Sequence, residues 1–323
     1  MVGEGGQEVR EILEGEVPIE HGIIKNWDAM ERVWEHTFKK LNVLVEDKPL
    51  ILSETPNNVQ FNRERVAQIM FETYNVPTFY LGNEAVLSAY FAGKVNALVV
   101  DSGYDCSYVV PVFEGYPVAQ GVLRFDYGGK DITNYLSSLL VEEGDYSLGP
   151  GDVATVEAMK RKHAFASMDY EKDLHTKGEG LEMLHRSFSY EGKDYNLTRS
   201  RFRCAEGLFK PQLMGKQAIG LHAAVFHSIG KCDIEMRDDL WSNVVLCGGN
   251  MAINNMPARM RREIVATSSS LYSAAVTTPQ NAKQSVWGGA SIMAGLTTFN
   301  HMWIHKEEYD ETGPSIVSRK CIS

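Results

Sequence analysis

The chain has 323 residues, 44% of them hydrophobic and 23% charged, which is ordinary globular composition and enough length for about two domains around a large core. The net charge of −10 argues against general nucleic-acid binding and against adsorption to anionic membranes. The five cysteines, Cys106, Cys204, Cys232, Cys247 and Cys321, show no C-x-x-C or paired spacing, so reduced thiols are expected, and no apolar run approaches the ~20 residues of a membrane span.

In chain order, residues 1–17 are polar and Gly-rich, are expected to be loosely ordered, and have neither the basic start nor the apolar core of a signal peptide. Val17 to Gly22 reads as a compact turn. A helix over Asp28–Leu41 follows, with Met30, Val33, Trp34 and Phe38 at helical spacing and Asp28 as its cap. Lys48–Ser53 reads as a buried strand, Arg63–Tyr74 as an amphipathic helix, Pro77–Leu81 as a short strand, and Ala85–Phe91 as a helix ended by Gly93. Val95–Val100 is a β-branched run that predicts a buried strand, and Ser107–Phe113 follows it at hairpin spacing.

The turn between those strands, Asp101-Ser102-Gly103, is the stretch around which the rest is organised. Gly103 permits backbone angles closed to other residues, and successive N–H groups in such a turn can form an anion-binding nest. An Asp beside a nest can hold a hydrated divalent cation. The pattern admits two readings, a phosphate-and-metal loop or an ordinary hairpin.

Further on, Asp131 is placed to cap a helix over Ile132–Val141, and a charged helix spans about Val153–Ala166. The polar stretch from Asp169 to Arg201 contains a weak hairpin, SFSYEGKDYNL, and suggests an exposed subdomain. Lys216–Ile229 reads as a helix interrupted by Gly220. Asn243–Leu246 reads as a buried strand running into Gly248-Gly249. A basic amphipathic helix covers Met256–Val265, a strand ends at Thr278, and a long apolar helix covers Ala290–Phe299. Strands alternate with helices, which implies an α/β fold with ligands beyond the carboxyl ends of strands. Two Gly-rich turns at strand ends, at 101–103 and 248–250, favour a nucleotide over either turn alone. His163, His185, His222 and His227 show no metal-ligand spacing. The terminal Cys321 is expected to be a surface thiol and Cys247 a core residue.

Several segments carry a family resemblance: PIEHGIIKNWDAMERVWEHTF (18–38), MFETYNVP (70–77), AVLSAY (85–90), RFRCAEGLFKP (201–211), SIGKCDIEMRDDLW (228–241), SVWGGASI (285–292) and MWIHKEEYDETGPSIVSRKC (302–321). The sequence resembles actin, collinearly over nearly its whole length. The resemblance implies the two-lobed α/β fold shared by actin, heat-shock chaperone ATPases and sugar kinases. It further implies a cleft for ATP or ADP with Mg2+ or Ca2+, and a cytoplasmic, cytoskeletal role in filaments. It implies three parts: 1–83 with 285–323, 84–127 with 217–284, and 128–216.

By the same resemblance Asp101 matches the metal-side acid, acting through water, and Ser102, Gly103 and Tyr104 the phosphate loop. Gly129, Lys160, Gly248, Gly249 and Lys283 match nucleotide contacts. Glu84 stands where the family has the glutamine that orients the attacking water, and Tyr108 where it has an assisting histidine. Glu84, Asp101 and Tyr108 are thus the candidate catalytic set. His21 matches a histidine near the phosphate-sensing loop. An apolar groove for actin-binding proteins or neighbouring subunits matches Tyr90, Gly93, Tyr116, Ile292, Met293, Leu296 and Thr298.

The departures matter as much. The family's first phosphate loop and most of its small outer subdomain have no counterpart here, so an N-terminally truncated fold is expected. Tyr104 replaces an acid, Arg161 a glutamate and Ile253 a tyrosine. Phosphoryl transfer depends on positioning and charge neutralisation, so weakened ATP binding and slow hydrolysis are expected. The alternatives are a non-polymerising subunit of a larger assembly, an incomplete product of a conventional actin, or a sugar kinase or chaperone ATPase on the same fold.

Overall fold

The apolar runs of the middle of the chain are continuous because their strands are buried on both faces. A computed structural model describes residues 16–144, 152–190, 192–268 and 272–322. The loose ordering expected for the first residues falls largely outside them. The strands are β1 (Ile19–Glu20), β2 (Ile23–Ile24), β3 (Leu50–Glu54), β4 (Thr78–Asn83), β5 (Ala97–Ser102), β6 (Ser107–Phe113), β7 (Tyr116–Pro117), β8 (Leu123–Phe125), β9 (Arg186–Tyr190), β10 (Lys193–Leu197), β11 (Val244–Cys247), β12 (Val276–Thr277) and β13 (Ile304–His305).

The largest sheet runs β12-β11-β5-β6-β7, with β8 also paired to β6. β12, β11 and β5 are parallel, and β5, β6 and β8 antiparallel. Side chains alternate strictly across it. Leu98, Val100, Val109, Val244 and Leu246 join one core with the helices Gly129–Glu143, Leu221–Gly230 and Met256–Thr267. Ala97, Val99, Tyr108, Val110, Val245 and Cys247 pack on the other face against Ala85, Val86 and Ala89 of the helix Glu84–Phe91. Cys247 is therefore core, as its strand pattern implies.

A second sheet, β13-β4-β3, supports the other lobe. β3 and β4 are parallel and joined by the helix Gln60–Gln68, which continues as a π-turn over Ile69–Thr73. Their core gathers Trp34, Met70, Phe71, Phe79, Ile304 and Val317. The lobes meet where Glu84–Phe91 crosses Ser285–Ala294. A Cβ on Gly289 would lie 1.7 Å from the Leu87 carbonyl oxygen, and the Ser88 and Ser285 hydroxyls bond at 2.9 Å. Only small residues allow so close a crossing. This explains why the helix starts at Ser285 and includes Gly288-Gly289. The long apolar helix expected over Ala290–Phe299 instead ends at Ala294, and a 3-10 turn covers Thr297–His301.

Other boundaries shift for local reasons. Asn26, not Asp28, caps the helix Trp27–Leu41, with its side-chain oxygen accepting from Ala29 N–H at 3.0 Å. Asp28 lies in the first turn, where its charge suits the helix dipole. Asp131 is the third residue of the helix Gly129–Glu143 and reaches back to the Gly128 N–H at 2.9 Å. The helix expected from Lys216 starts at Leu221, after Gly220, where a Cβ would lie 2.1 Å from the Phe209 carbonyl oxygen. The SFSYEGKDYNL hairpin forms as β9 and β10.

The C-terminal segment corrects one expectation outright. Cys321 is fully buried, not a surface thiol. Its sulfur accepts from the Leu81 N–H at 3.3 Å, and burial pushes its thiol up to about 12. Its carbonyl accepts from Arg63, which also holds the buried Glu54 carboxylate at 2.9 and 3.0 Å.

Candidate functional site

The register of the large sheet builds the site in two rows at the carboxyl ends of β5 and β11. In the first row Cys247, Asp101, Tyr108 and Arg124 stand side by side on β11, β5, β6 and β8. Directly paired residues share a face, so Asp101 and Tyr108 both point toward the helix that begins at Glu84. Glu84 is delivered there because Asn83 ends β4 and caps the helix, accepting from Ala85 N–H at 3.0 Å. The Tyr108 hydroxyl donates to Glu84 Oε2 at 2.9 Å, and the Ser53 hydroxyl to Oε1 at 3.3 Å.

In the second row Ser102 opposes Ser107, on the other face. Their hydroxyls bond at 2.8 Å, and Ser107 passes its donor to the Tyr127 carbonyl at 2.9 Å. The Gly103 N–H closes the turn on the Cys106 carbonyl, 3.0 Å away. Its own carbonyl receives the Gly129 N–H at 2.9 Å, while the Tyr104 carbonyl receives the Lys130 N–H at 2.7 Å. Gly103 thus closes the turn with its N–H and ties it to the start of a helix with its carbonyl, on a backbone outside the left-handed region expected of it, and the Tyr104 side chain is exposed.

Gly248 follows β11 with φ +91°, a left-handed geometry that disfavours any residue with a Cβ. A Cβ there would lie 2.3 Å from the Ser102 carbonyl oxygen and 2.6 Å from Asp101 Oδ1. Gly249 beside it faces open space. Lys160 is buried, and its ammonium donates to the Gly129 carbonyl and the Thr133 hydroxyl, both at 2.7 Å. Burial lowers its pKa. Lys283 is exposed on a short turn whose first residue, Ala282, accepts from the Gly248 N–H at 3.1 Å. The structure therefore brings together Asp101, Ser102, Gly103, Gly129, Lys160, Gly248 and Gly249, with Glu84 and Tyr108 on the adjoining face. Tyr104 belongs by its backbone, and Lys283 only as the neighbour of Ala282, whose carbonyl receives the Gly248 N–H.

The electrostatics are lopsided. Asp101 is 6% exposed, and among the described residues no hydrogen bond or ion pair reaches its carboxylate. Burial, with the charge of Glu84 adding to it, pushes Asp101 up to about 8. Burial also raises Glu84, against the bonds from Tyr108 and Ser53 and the charge of Arg124. The Tyr108 phenol is held well above its ordinary value by burial, then by the charges of Asp101 and Glu84. A buried acid beside a half-buried one, with this little positive charge, fits a bound cation.

Three contributors were not legible as site residues. Asn250 donates its amide to Ser102 Oγ at 2.9 Å and to the Gly103 carbonyl at 2.8 Å. Ser107 completes the hydroxyl pair, and its place opposite Ser102 across the hairpin was the available clue. Arg124 donates to the Pro56 carbonyl at 3.2 Å and to the His21 carbonyl. His21 itself, at φ +46°, docks on the turn: its N–H donates to the Asp105 carboxylate, and its Nδ1 lies 2.9 Å from the Asp105 carbonyl.

A separate apolar groove is lined by Tyr80, Tyr90, Tyr116, Met293, Leu296 and Phe299 among others. Thr298 also lines it. Ile292 and Gly93 lie outside the lining.

Two lobes on separate sheets, with glycine turns at the carboxyl ends of two parallel strands and two acids beside them, define a two-lobed α/β protein of the actin-like class. A sequence model of the family described as actin matches residues 1–189 and 150–322, two overlapping stretches that together span nearly all of the chain. The chain belongs to the actin family. Among the described residues no helix is long and apolar enough to cross a membrane.

Proposed function

We propose that the chain binds ATP or ADP with Mg2+ or Ca2+ at the ends of β5 and β11, hydrolyses ATP slowly, and joins actin-family filaments in the cytoplasm. The observation that carries the nucleotide reading is the uncompensated Asp101 carboxylate against the Gly248 backbone. Gly248 makes room for the Ser102 carbonyl and the Asp101 carboxylate, Gly249 beside it leaves the main chain open to a ligand, and Asp101 would hold the cation through water. When bound, the cation supplies neutralisation of the phosphate charge.

Slow turnover follows from the residues beside it. Both Glu84 oxygens already accept hydrogen bonds, from Tyr108 and Ser53. The Tyr108 hydroxyl is committed as a donor, and its raised pKa bars it from acting as a base near neutrality. Tyr108 is thus no base, and Glu84, which keeps a free lone pair on each oxygen, is held by both bonds and carries a negative charge that opposes the phosphates. Ser102, Gly103, Gly129 and Lys160 fix the geometry of the turn and of the adjoining helix, whose N-terminal end favours negative charge.

The three-part division at 83/84, 127/128, 216/217 and 284/285 belongs to the same proposal. Its first part is supported by the core that unites Trp34 to Leu81 with Met293 to Cys321, although Leu87 also joins that core and a second core runs across 127/128 and 216/217. Filament partners would use the groove at Tyr90, Tyr116 and Leu296. Cation-dependent binding of a fluorescent ATP analogue, followed by single-turnover phosphate release, tests the reading. Binding without turnover faster than that of conventional actin is expected. Binding indifferent to the cation contradicts it.

A further inference from the structure

Asn250 sits where three segments of the candidate cleft converge, and nothing about its sequence position explains its burial. It is 5% exposed, although it carries a polar amide. One nitrogen, Nδ2, serves both the Ser102 hydroxyl and the Gly103 carbonyl. Its oxygen, Oδ1, would lie 2.9 Å from a Cβ built on Gly129, so it rests against the start of the helix Gly129–Glu143. The Gly103 carbonyl that it holds is the same one that receives the Gly129 N–H. A continuous chain of hydrogen bonds therefore runs from Tyr127 O through Ser107, Ser102 and Asn250 to Gly103 O and Gly129 N–H. Asn250 is the only member of that chain contributed by the turn after β11.

We propose that Asn250 is the positioning residue of the cleft: its carboxamide pins the β5 turn and the Gly129 helix to the Gly248-Gly249 turn, and so sets how fast a bound nucleotide leaves. The proposal rests on the nucleotide reading above. A short neutral amide suits the place because it donates to two acceptors at once while adding no charge beside the acids. An aspartate of the same shape would set an acceptor against the Gly103 carbonyl, lose that bond, and take the Ser102 hydroxyl's donor away from Ser107.

The test compares Asn250→Asp and Asn250→Ala with the wild-type chain in two readouts. One is the release rate of a fluorescent ATP analogue with Mg2+. The other is site-resolved amide exchange at Gly129 and Lys130 without nucleotide. Losing two hydrogen bonds predicts release about tenfold faster or more in the alanine variant, and faster still in the aspartate variant. Gly129 and Lys130 should exchange faster in both, while the β5 and β11 amides stay protected. A residue that merely fills space predicts the reverse order, with the isosteric aspartate milder than alanine, and that result overturns the proposal. Unchanged release in variants of a wild type that binds nucleotide also overturns it and leaves the nucleotide reading standing. Protection lost evenly across the sheet marks a general packing role and overturns it too. A wild type that takes up no nucleotide overturns the nucleotide reading itself.

Discussion

Replacing Asp101 with Asn should stabilise the cation-free protein, and do so increasingly as pH rises. In the folded chain Asp101 holds its proton up to about 8, against 3.8 as the ordinary value. A raised carboxyl pKa means the folded state binds more protons than the unfolded state between those two values, so stability falls as pH rises through that window. At about 1.4 kcal/mol per pKa unit, the full cost of ionising Asp101 is on the order of 5 kcal/mol by pH 9. Asparagine removes that cost, but its amide, without partners in the same place, costs about 1–3 kcal/mol. The net gain for Asp101→Asn should be about 2–4 kcal/mol at pH 9, and near zero at pH 5, where little of the ionisation cost has accumulated. Urea unfolding with a chelator present, at pH 5, 7 and 9, measures it. Adding Mg2+ and ATP should reverse the order, because only the wild-type carboxylate draws the cation. An offset between variant and wild type that is the same at pH 5 and pH 9 would refute the reasoning, as would a variant less stable at pH 9.

Other outcomes follow from single contacts. Gly248→Ala forces a Cβ into left-handed backbone 2.3 Å from the Ser102 carbonyl oxygen, and should cost about 2 kcal/mol or more in chemical denaturation. A cost under about 0.5 kcal/mol would mean the turn relaxes freely. Glu84→Gln removes a half-buried negative charge beside Asp101 and should tighten ATP binding in fluorescence titrations by about tenfold. Weaker binding would show that Glu84 attracts the cation more than it repels the phosphates. All five cysteines are buried, so the native chain should show no fast thiol toward a disulfide reagent at neutral pH. Rapid reaction of one equivalent would mean that the Cys321 segment is not docked on Leu81 and Arg63.

The strands were legible because burial on both faces leaves continuous β-branched runs. Ser107–Phe113 begins and ends as its sequence pattern indicates. Helix ends were harder, because they are set by groups outside the local window. The crossing at Gly289 placed the start of its helix at Ser285, and the Phe209 carbonyl placed the break at Gly220. Site residues divide in the same way. Asp101, Gly103, Gly248 and Gly249 stand at strand ends, where a Gly-rich turn announces itself. Asn250 and Arg124 act on segments far away in sequence, and their roles depend on a register that no local pattern carries. Cys321 was misread for the same reason. A cysteine two residues from the last reads as exposed unless a distant arginine such as Arg63 and the edge of a strand receive it.

The central claim is that Asp101 and the glycine turns hold a nucleotide together with a divalent cation. Isothermal titration of the purified chain with ATP, with Mg2+ and with a chelator, beside the same titrations of Asp101→Asn, tests it most directly. One nucleotide site per chain that needs the cation, and that Asp101→Asn abolishes or weakens at least tenfold, is the predicted result. No heat of binding in the wild type, or binding that survives both the chelator and the substitution, would contradict it.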